Sequence, residues 1–274
     1  MEDKKPAFPI QKLLPLAVAV VLVCAGPRLA PAQAPGAQAP AASTPAVPDW
    51  ALPGSSTHKQ VAPPKDFHRD SVTFNTPLGI FEGVTDVGAA LVPGASSYDP
   101  ATKAYTVTSA GYNIWYQRDE FRYVWKKTSG DVSFAADVAF LKPMPLTDRK
   151  VVLVIRQNLE DDSKEVMIAE HSTGMIHLAE RPDKGADLTD MTYTFGGSLA
   201  RVRAGRIGIE KRGDSEAIFI SIKGEGLHQF GPPVQVHFEE PFYVGIGFCS
   251  HEPVATDTGI FSNVLLENAA GKVR

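Results

Sequence analysis

Five side chains in the middle of the chain combine the chemical groups that proteins use to hold small polar ligands. Trp115 and Trp125 offer flat aromatic rings, Asp119 offers a carboxylate, and Arg156 and Arg181 offer guanidinium groups. Sugars bind by stacking their C–H faces on aromatic rings, while charged groups bond the hydroxyls and set the orientation. These five residues are therefore candidate ligand contacts.

A structural interpretation of the same residues stays open. Trp125 is in phase with Tyr123, so in this interpretation it packs in the core. Trp115 then closes the edge of the fold. Arg156, next to an apolar strand, is then a structural arginine paired with Asp119.

The elements that must position these side chains are predicted to be β-strands. Runs of β-branched and aromatic residues recur at a spacing of about ten residues from residue 66 onward, with Gly, Pro and Asp turn signals between them. No segment shows a long amphipathic helical pattern. The sequence therefore predicts one all-β sandwich over residues 66–274, with strands at Lys103–Ser109, Glu120–Trp125, Asp131–Leu141, Lys150–Gln157, Glu165–Glu170, Met175–Arg181, Met191–Phe195, Arg206–Lys211, Ala217–Lys223, Phe242–Cys249 and Ile260–Leu266.

Several motifs occur in order within residues 74–268. They are Gly111–Asp131, Val154–Arg156, His171–Gly174 leading into Arg181, Gly245–His251 and Phe261–Val264. Together they resemble bacterial concanavalin A-like lectin/glucanase sandwich domains, and the closing motifs are similar to those of domains fused to TolB-type propeller proteins and to secreted glycan-handling proteins. The resemblance implies a jelly roll of two antiparallel sheets that binds ligands on its concave sheet or rim.

The stretch from Glu160 to Glu165 fits E-x-D-x-x-E, the pattern of laminarinase-type glucanases on this fold. The resemblance implies two glutamates acting as nucleophile and acid/base, which retaining chemistry places about 5 Å apart. However, the segment 158–164 lies between two predicted strands and is predicted to be a hairpin loop whose carboxylates point into water. Catalysis by Glu160 and Glu165 is therefore the alternative to a noncatalytic role.

Metal binding has weak support in the sequence. None of the seven histidines has the ligand spacing of a zinc site, although folding could still bring some of them together. The sequence does not require a cofactor. Calcium binding is kept as an alternative, because sandwiches of this kind often carry a calcium ion. Its hard oxygen ligands would come from loops, and the candidates are Asp86, Asp99, Asp131 and Asp257.

Residues 1–34 have the three parts of a secretory signal peptide. Lysines in the first 12 residues precede the apolar run Leu13–Ala25, and a small-x-small site follows at Ala32–Ala34. An uncleaved membrane anchor and lipid attachment at Cys24 are the alternatives. Residues 35–65 are rich in Ala, Pro, Ser and Thr and are predicted to form an extended linker.

Composition narrows the function. The chain has 274 residues, 43% of them hydrophobic and 21% charged, and a net charge of −4, which excludes a disordered chain and a basic nucleic-acid binder. Cys24 and Cys249 are too few for a disulfide framework.

We expect a secreted or periplasmic, noncatalytic, lectin-like domain that binds carbohydrate or envelope glycan, without a membrane span in the mature chain. A glycoside hydrolase and a periplasmic protein-interaction module are the alternatives.

Overall fold

The computed structural model describes residues 62–64, 66–141, 148–194, 203–222 and 224–273. The predicted signal peptide lies outside the described residues, and so does the predicted linker apart from 62–64. Within the described ranges every regular element is a β-strand. No long apolar helix that could cross a membrane is present in them.

The strands form two large antiparallel sheets, numbered here in chain order. The first sheet runs β1 (Val72–Phe74), β2 (Gly83–Val87), β7 (Phe121–Thr128), β17 (Phe242–Cys249), β9 (Lys150–Arg156), β10 (Glu165–His171), β11 (Met175–Arg181) and β12 (Thr189–Thr194). The second runs β15 (His228–Gln229), β14 (Ser215–Ile222), β13 (Ala204–Arg212), β8 (Val132–Phe140), β18 (Asp257–Glu267), β4 (Ala104–Ser109) and β3 (Ala95–Asp99), with β16 (Val234–Gln235) beside β14. A separate hairpin joins β5 (Ile114–Trp115) to β6 (Arg118–Asp119).

The main apolar core lies between these two sheets. Successive side chains of a strand point to opposite faces, so Val151, Leu153 and Ile155 of β9 share one face. All three are fully buried in one cluster with Phe134 and Ile209 of the second sheet. Burial of each such side chain stabilises the fold by about 1.5–3 kcal/mol.

The opposite face of the first sheet, which we call the outer face, is apolar as well. Val152, Val154 and Met167 lie there in a second buried cluster. An apolar sheet face must be covered by another layer. Ile114 of the β5–β6 hairpin and Leu188 before β12 belong to this cluster and provide part of the cover.

The β5–β6 hairpin is held firmly over the outer face. Its two-residue turn begins at Tyr116, which has a left-handed φ of 57°. The Tyr116 carbonyl accepts hydrogen bonds from the Leu188 N–H at 2.9 Å and from Arg181 Nη2 at 3.2 Å. These bonds fix the hairpin and thereby the position of Trp115 on it.

The predicted fold class, an all-β two-sheet antiparallel jelly-roll sandwich, is confirmed. Every predicted strand corresponds to a strand of the structure, and the predicted ends at Phe195 and Lys223 lie outside the described residues. The sequence pattern did not predict β1, β2, β3, β5, β6, β15 and β16. These are short, and most are polar or contain glycine, so pairing with neighbouring strands rather than local pattern determines them.

Candidate binding site

A pocket of about 280 Å³ lies at one end of the outer face. We call it the Trp115 pocket. Lys150 of β9 is the cross-strand partner of His171 of β10 and of Cys249 of β17, so neighbouring strands bring their side chains to the same place. The residues that line it are Asn113, Trp115, Asp148, Lys150, His171, Met175, His177 and His251.

Trp115 forms the aromatic wall of this pocket. Its indole is half-buried and meets the His177 ring edge-on, with the ring centres 4.9 Å apart. Lys150 Nζ lies 5.2 Å from the indole centre, within the range of a cation–π contact. Of the five predicted ligand contacts, Trp115 is the one that lines this pocket.

Lys150 places a buried ammonium group against the hairpin. The residue is 1% exposed, and its Nζ donates to Asn113 Oδ1 at 2.7 Å and to the Ile114 carbonyl at 3.5 Å. Burial lowers the pKa of Lys150, and the coulombic pull of Cys249 and Asp119 opposes this effect. The sequence analysis did not select Lys150, because a lysine at the start of an apolar strand carries no local signal.

Three histidines line the pocket, two from the neighbouring strands β10 and β11 and one, His251, from a distant part of the chain. The rings of His171 and His177 are 4.9 Å apart. His177 Nδ1 lies 2.9 Å from Asp190 Oδ2, whereas neither nitrogen of His171 has a hydrogen-bond partner among the described residues. Burial, reinforced by Lys150, lowers the pKa of both rings, that of His171 strongly. Both imidazoles are therefore neutral at pH 7.

Three of the predicted contacts join one buried network instead. Asp119 accepts from Arg156 Nη1 at 2.6 Å and from Arg181 Nη1 and Nη2 at 2.8 Å each. Glu165 pairs with both arginines. All four side chains are 0% exposed, so Asp119, Arg156 and Arg181 present no atom to a ligand in this conformation.

The pKa values of the two carboxyl groups in this network are shifted in opposite directions. Burial opposes ionisation of Asp119, but Arg181 and Arg156 outweigh it and lower its pKa. Burial raises the pKa of Glu165 to about 7, against the pull of Arg156. Asp119 is therefore the main counter-charge of the two guanidinium groups.

Trp125 also packs away from the pocket. It is 5% exposed and belongs to the outer-face cluster with Tyr123, which matches the structural interpretation of its phase. Its Nε1 donates to Thr85 Oγ1 at 2.9 Å. A Cβ on Gly83 would lie 2.5 Å from the Trp125 ring, so glycine at that position of β2 makes room for the indole.

The two glutamates of the glucanase-like motif do not face one cleft. Glu160 lies in the loop before β10 and pairs with Lys184 at the surface, with 58% of its side chain exposed. Glu165 begins β10 and is sealed in the buried network. The loop is also less solvated than expected, because Asp161 is 4% exposed and bonds Arg118 Nε at 3.2 Å.

The aspartates considered for calcium lie apart and hold other partners. Asp86 pairs with Arg122, Asp257 pairs with Arg149, and Asp131 accepts from the Gly213 N–H. Asp99 accepts from the Ala101 N–H and the Thr102 hydroxyl of its own turn.

A different set of potential metal ligands comes together around Asp161. Among the described residues, the His, Cys, Asp and Glu groups close enough to share an ion are those of His68, Asp161 and Asp162. Asp161 already accepts from Arg118 Nε and from the Arg69 N–H and lies 3.0 Å from His68 Nδ1. These groups bond both carboxylate oxygens of Asp161. Its negative charge is therefore largely compensated, and it attracts a cation only weakly.

Comparison with known proteins gives a fold but no family. No family model matches the sequence, and no curated protein sequence matches it. A crystal structure of a functionally unknown protein from Saccharomyces cerevisiae has a TM-score of 0.50 at 15% identity, covering 73% of this chain and 97% of that chain. At this identity the likeness shows a shared fold alone.

The descriptions of two further structures with lower scores name a carbohydrate-binding module and a lectin. A carbohydrate-binding module from Bacillus subtilis has a TM-score of 0.42 at 11% identity, covering 64% of this chain and 92% of that one. A lectin from Bauhinia forficata in complex with GalNAc has a TM-score of 0.40 at 9% identity, covering 72% and 97%.

Proposed function

We propose that this chain is an exported, noncatalytic carbohydrate-binding protein and that the Trp115 pocket is its sugar site. One observation carries the proposal. A half-buried indole borders a pocket whose other walls present the hydrogen-bonding groups of Lys150, His171 and His177. An aromatic platform beside polar groups is the arrangement that binds a sugar ring.

The size of the pocket suits one sugar residue. Small-molecule sites occupy about 300–1,000 Å³, and this pocket, at about 280 Å³, lies just below that range. Trp115, at its border, is a half-buried residue. A longer glycan would therefore insert one residue and extend along the surface.

The lining residues favour binding over hydrolysis. A retaining glycosidase needs two accessible carboxyl groups about 5 Å apart. Asp148 is the carboxylate among the described residues that line the pocket, and none of the other described lining residues is a carboxylate that could act with it. Glu160 and Glu165 point to different surroundings, as described above.

The export part of the proposal rests on the N-terminal sequence. The basic segment, the apolar run and the Ala32–Ala34 site favour secretion or transfer to the periplasm. Expression of the full chain in a bacterium, followed by fractionation and N-terminal sequencing, tests this part. Retention of the whole chain in the cytoplasm would contradict it.

Sugar binding is tested by affinity electrophoresis in gels containing plant, fungal or bacterial polysaccharides, together with a glycan array. We expect at least one glycan to retard the wild-type protein and Trp115→Ala to weaken binding about tenfold, because ring stacking is lost. Phe74→Ala is the matched control, since Phe74 is an aromatic residue that is 44% exposed away from the pocket. Absence of retardation by any glycan, or equal retardation of Trp115→Ala, would refute the proposal.

A further inference from the structure

Lys150 carries a buried positive charge without a counter-ion. Its Nζ bonds two neutral oxygens, Asn113 Oδ1 and the Ile114 carbonyl. Within the described part of the chain, no carboxylate oxygen lies within 4.0 Å of this ammonium group. An unpaired buried charge is energetically costly, so the pocket stabilises an anion placed beside Lys150.

His171 provides a second unsatisfied group in the same pocket. It is 4% exposed, and both of its ring nitrogens lack a partner among the described residues. A neutral imidazole has one N–H donor and one acceptor nitrogen. Leaving both unpaired and buried is costly, and a ligand hydroxyl, which can both donate and accept, would satisfy a ring nitrogen that it reaches.

The charged groups around the pocket favour an anionic ligand over a neutral one. Lys150 supplies a positive charge, three histidines supply hydrogen-bonding groups, and the carboxylate among the described lining residues, Asp148, is exposed. Asp190 is not among the lining residues, and its Oδ2 lies 2.9 Å from His177 Nδ1. A neutral sugar would satisfy His171 but would leave the Lys150 charge uncompensated.

We infer that the Trp115 pocket selects a sugar residue that bears a carboxylate, such as a uronic acid. The carboxylate pairs with Lys150, the ring hydroxyls bond His171, and the C–H face lies on Trp115. This inference rests on the proposed function and adds the class of sugar to it. The charge-assisted bond to Lys150 is the source of the selectivity.

The first experiment compares ligands on the wild-type protein. Tetrasaccharides of galacturonate, glucuronate and mannuronate are each paired with their carboxyl-reduced form, and affinities are measured by calorimetry. We expect at least one acidic member to bind at least about tenfold more tightly than its reduced partner. Equal affinities would overturn the inference and leave the proposed function intact. Tighter binding of sulfated neutral sugars than of all uronates would also overturn it. Binding of no sugar would remove both.

Two variants test whether Lys150 is the source of the preference. Lys150→Met removes the charge at similar size. Asn113→Asp supplies an internal carboxylate 2.7 Å from Nζ and so replaces the ligand's charge. In each variant we expect acidic and reduced sugars to bind within about twofold of one another.

Lys184→Met is the matched control, because Lys184 is an exposed lysine that lies beside Glu160 rather than in the Trp115 pocket. It should keep the wild-type preference. Melting curves identify which of the two pocket variants fold. A folded variant of either kind that keeps the acidic preference would overturn the inference.

Discussion

Replacing Asp119 with asparagine should destabilise the sandwich strongly. Asp119 and Glu165 face Arg156 and Arg181 in a network with 0% exposure of all four side chains. With both carboxylates ionised the charges balance. The asparagine side chain would have nearly the same shape but would leave a positive charge that neither water nor another described carboxylate neutralises.

The magnitude follows from the geometry of the contacts. Arg181 binds Asp119 through two parallel bonds of 2.8 Å, one to each carboxylate oxygen. An amide offers one acceptor oxygen, so at least one of these bonds is lost. Breaking a buried pair by removing one partner costs about 3–5 kcal/mol, and we expect Asp119→Asn to lose stability in that range.

The assay is urea unfolding of the full chain at pH 7, followed by tryptophan fluorescence, with m-values compared to detect a change in the unfolded state. Glu160→Gln is the control, since it removes a carboxylate from an ion pair with Lys184 in which both side chains are more than half exposed. Such exposed pairs are worth about 0–1 kcal/mol. A loss below about 1 kcal/mol in Asp119→Asn, or equal losses in the two variants, would refute the reasoning.

Two further predictions concern stability. Burial raises the pKa of Glu170 to about 8 from 4.5. The contribution of this residue to the free energy of unfolding is therefore complete below pH 4.5 and is lost as the pH rises to 8. Between pH 5 and 8 the free energy of unfolding of Glu170→Gln should fall less steeply than that of the wild type, by up to about 1.4 kcal/mol per pH unit. An equally steep fall, measured by denaturant unfolding at each pH, would contradict this. Gly88 and Gly213 both have left-handed φ values, 63° and 58°. A Cβ on Gly88 would lie 2.3 Å from the Asp119 carbonyl oxygen, whereas a Cβ on Gly213 would have nothing within 4 Å. Gly88→Ala should therefore cost about 1–3 kcal/mol more than Gly213→Ala in denaturant unfolding, and similar costs would disprove the steric argument.

Strand positions and strand faces could be predicted because they follow from a local period. Alternation of apolar residues placed Tyr123 and Trp125 on one face, and both lie in the outer-face cluster. A nearly continuous apolar run predicted the buried strand β9. The structure also shows the Arg156–Asp119 pair that was one open interpretation of these residues. Their role as ligand contacts stays a prediction.

The Trp115 pocket could not be predicted in this way. Its walls come from residues as far apart as Asn113, His171 and His251, and no spacing in the chain connects them. Which strands become neighbours depends on the free energy of pairing segments far apart in sequence. That pairing places His171 opposite Lys150. The period of two decides on which face a side chain lies, and the long-range strand order decides which side chains it meets there.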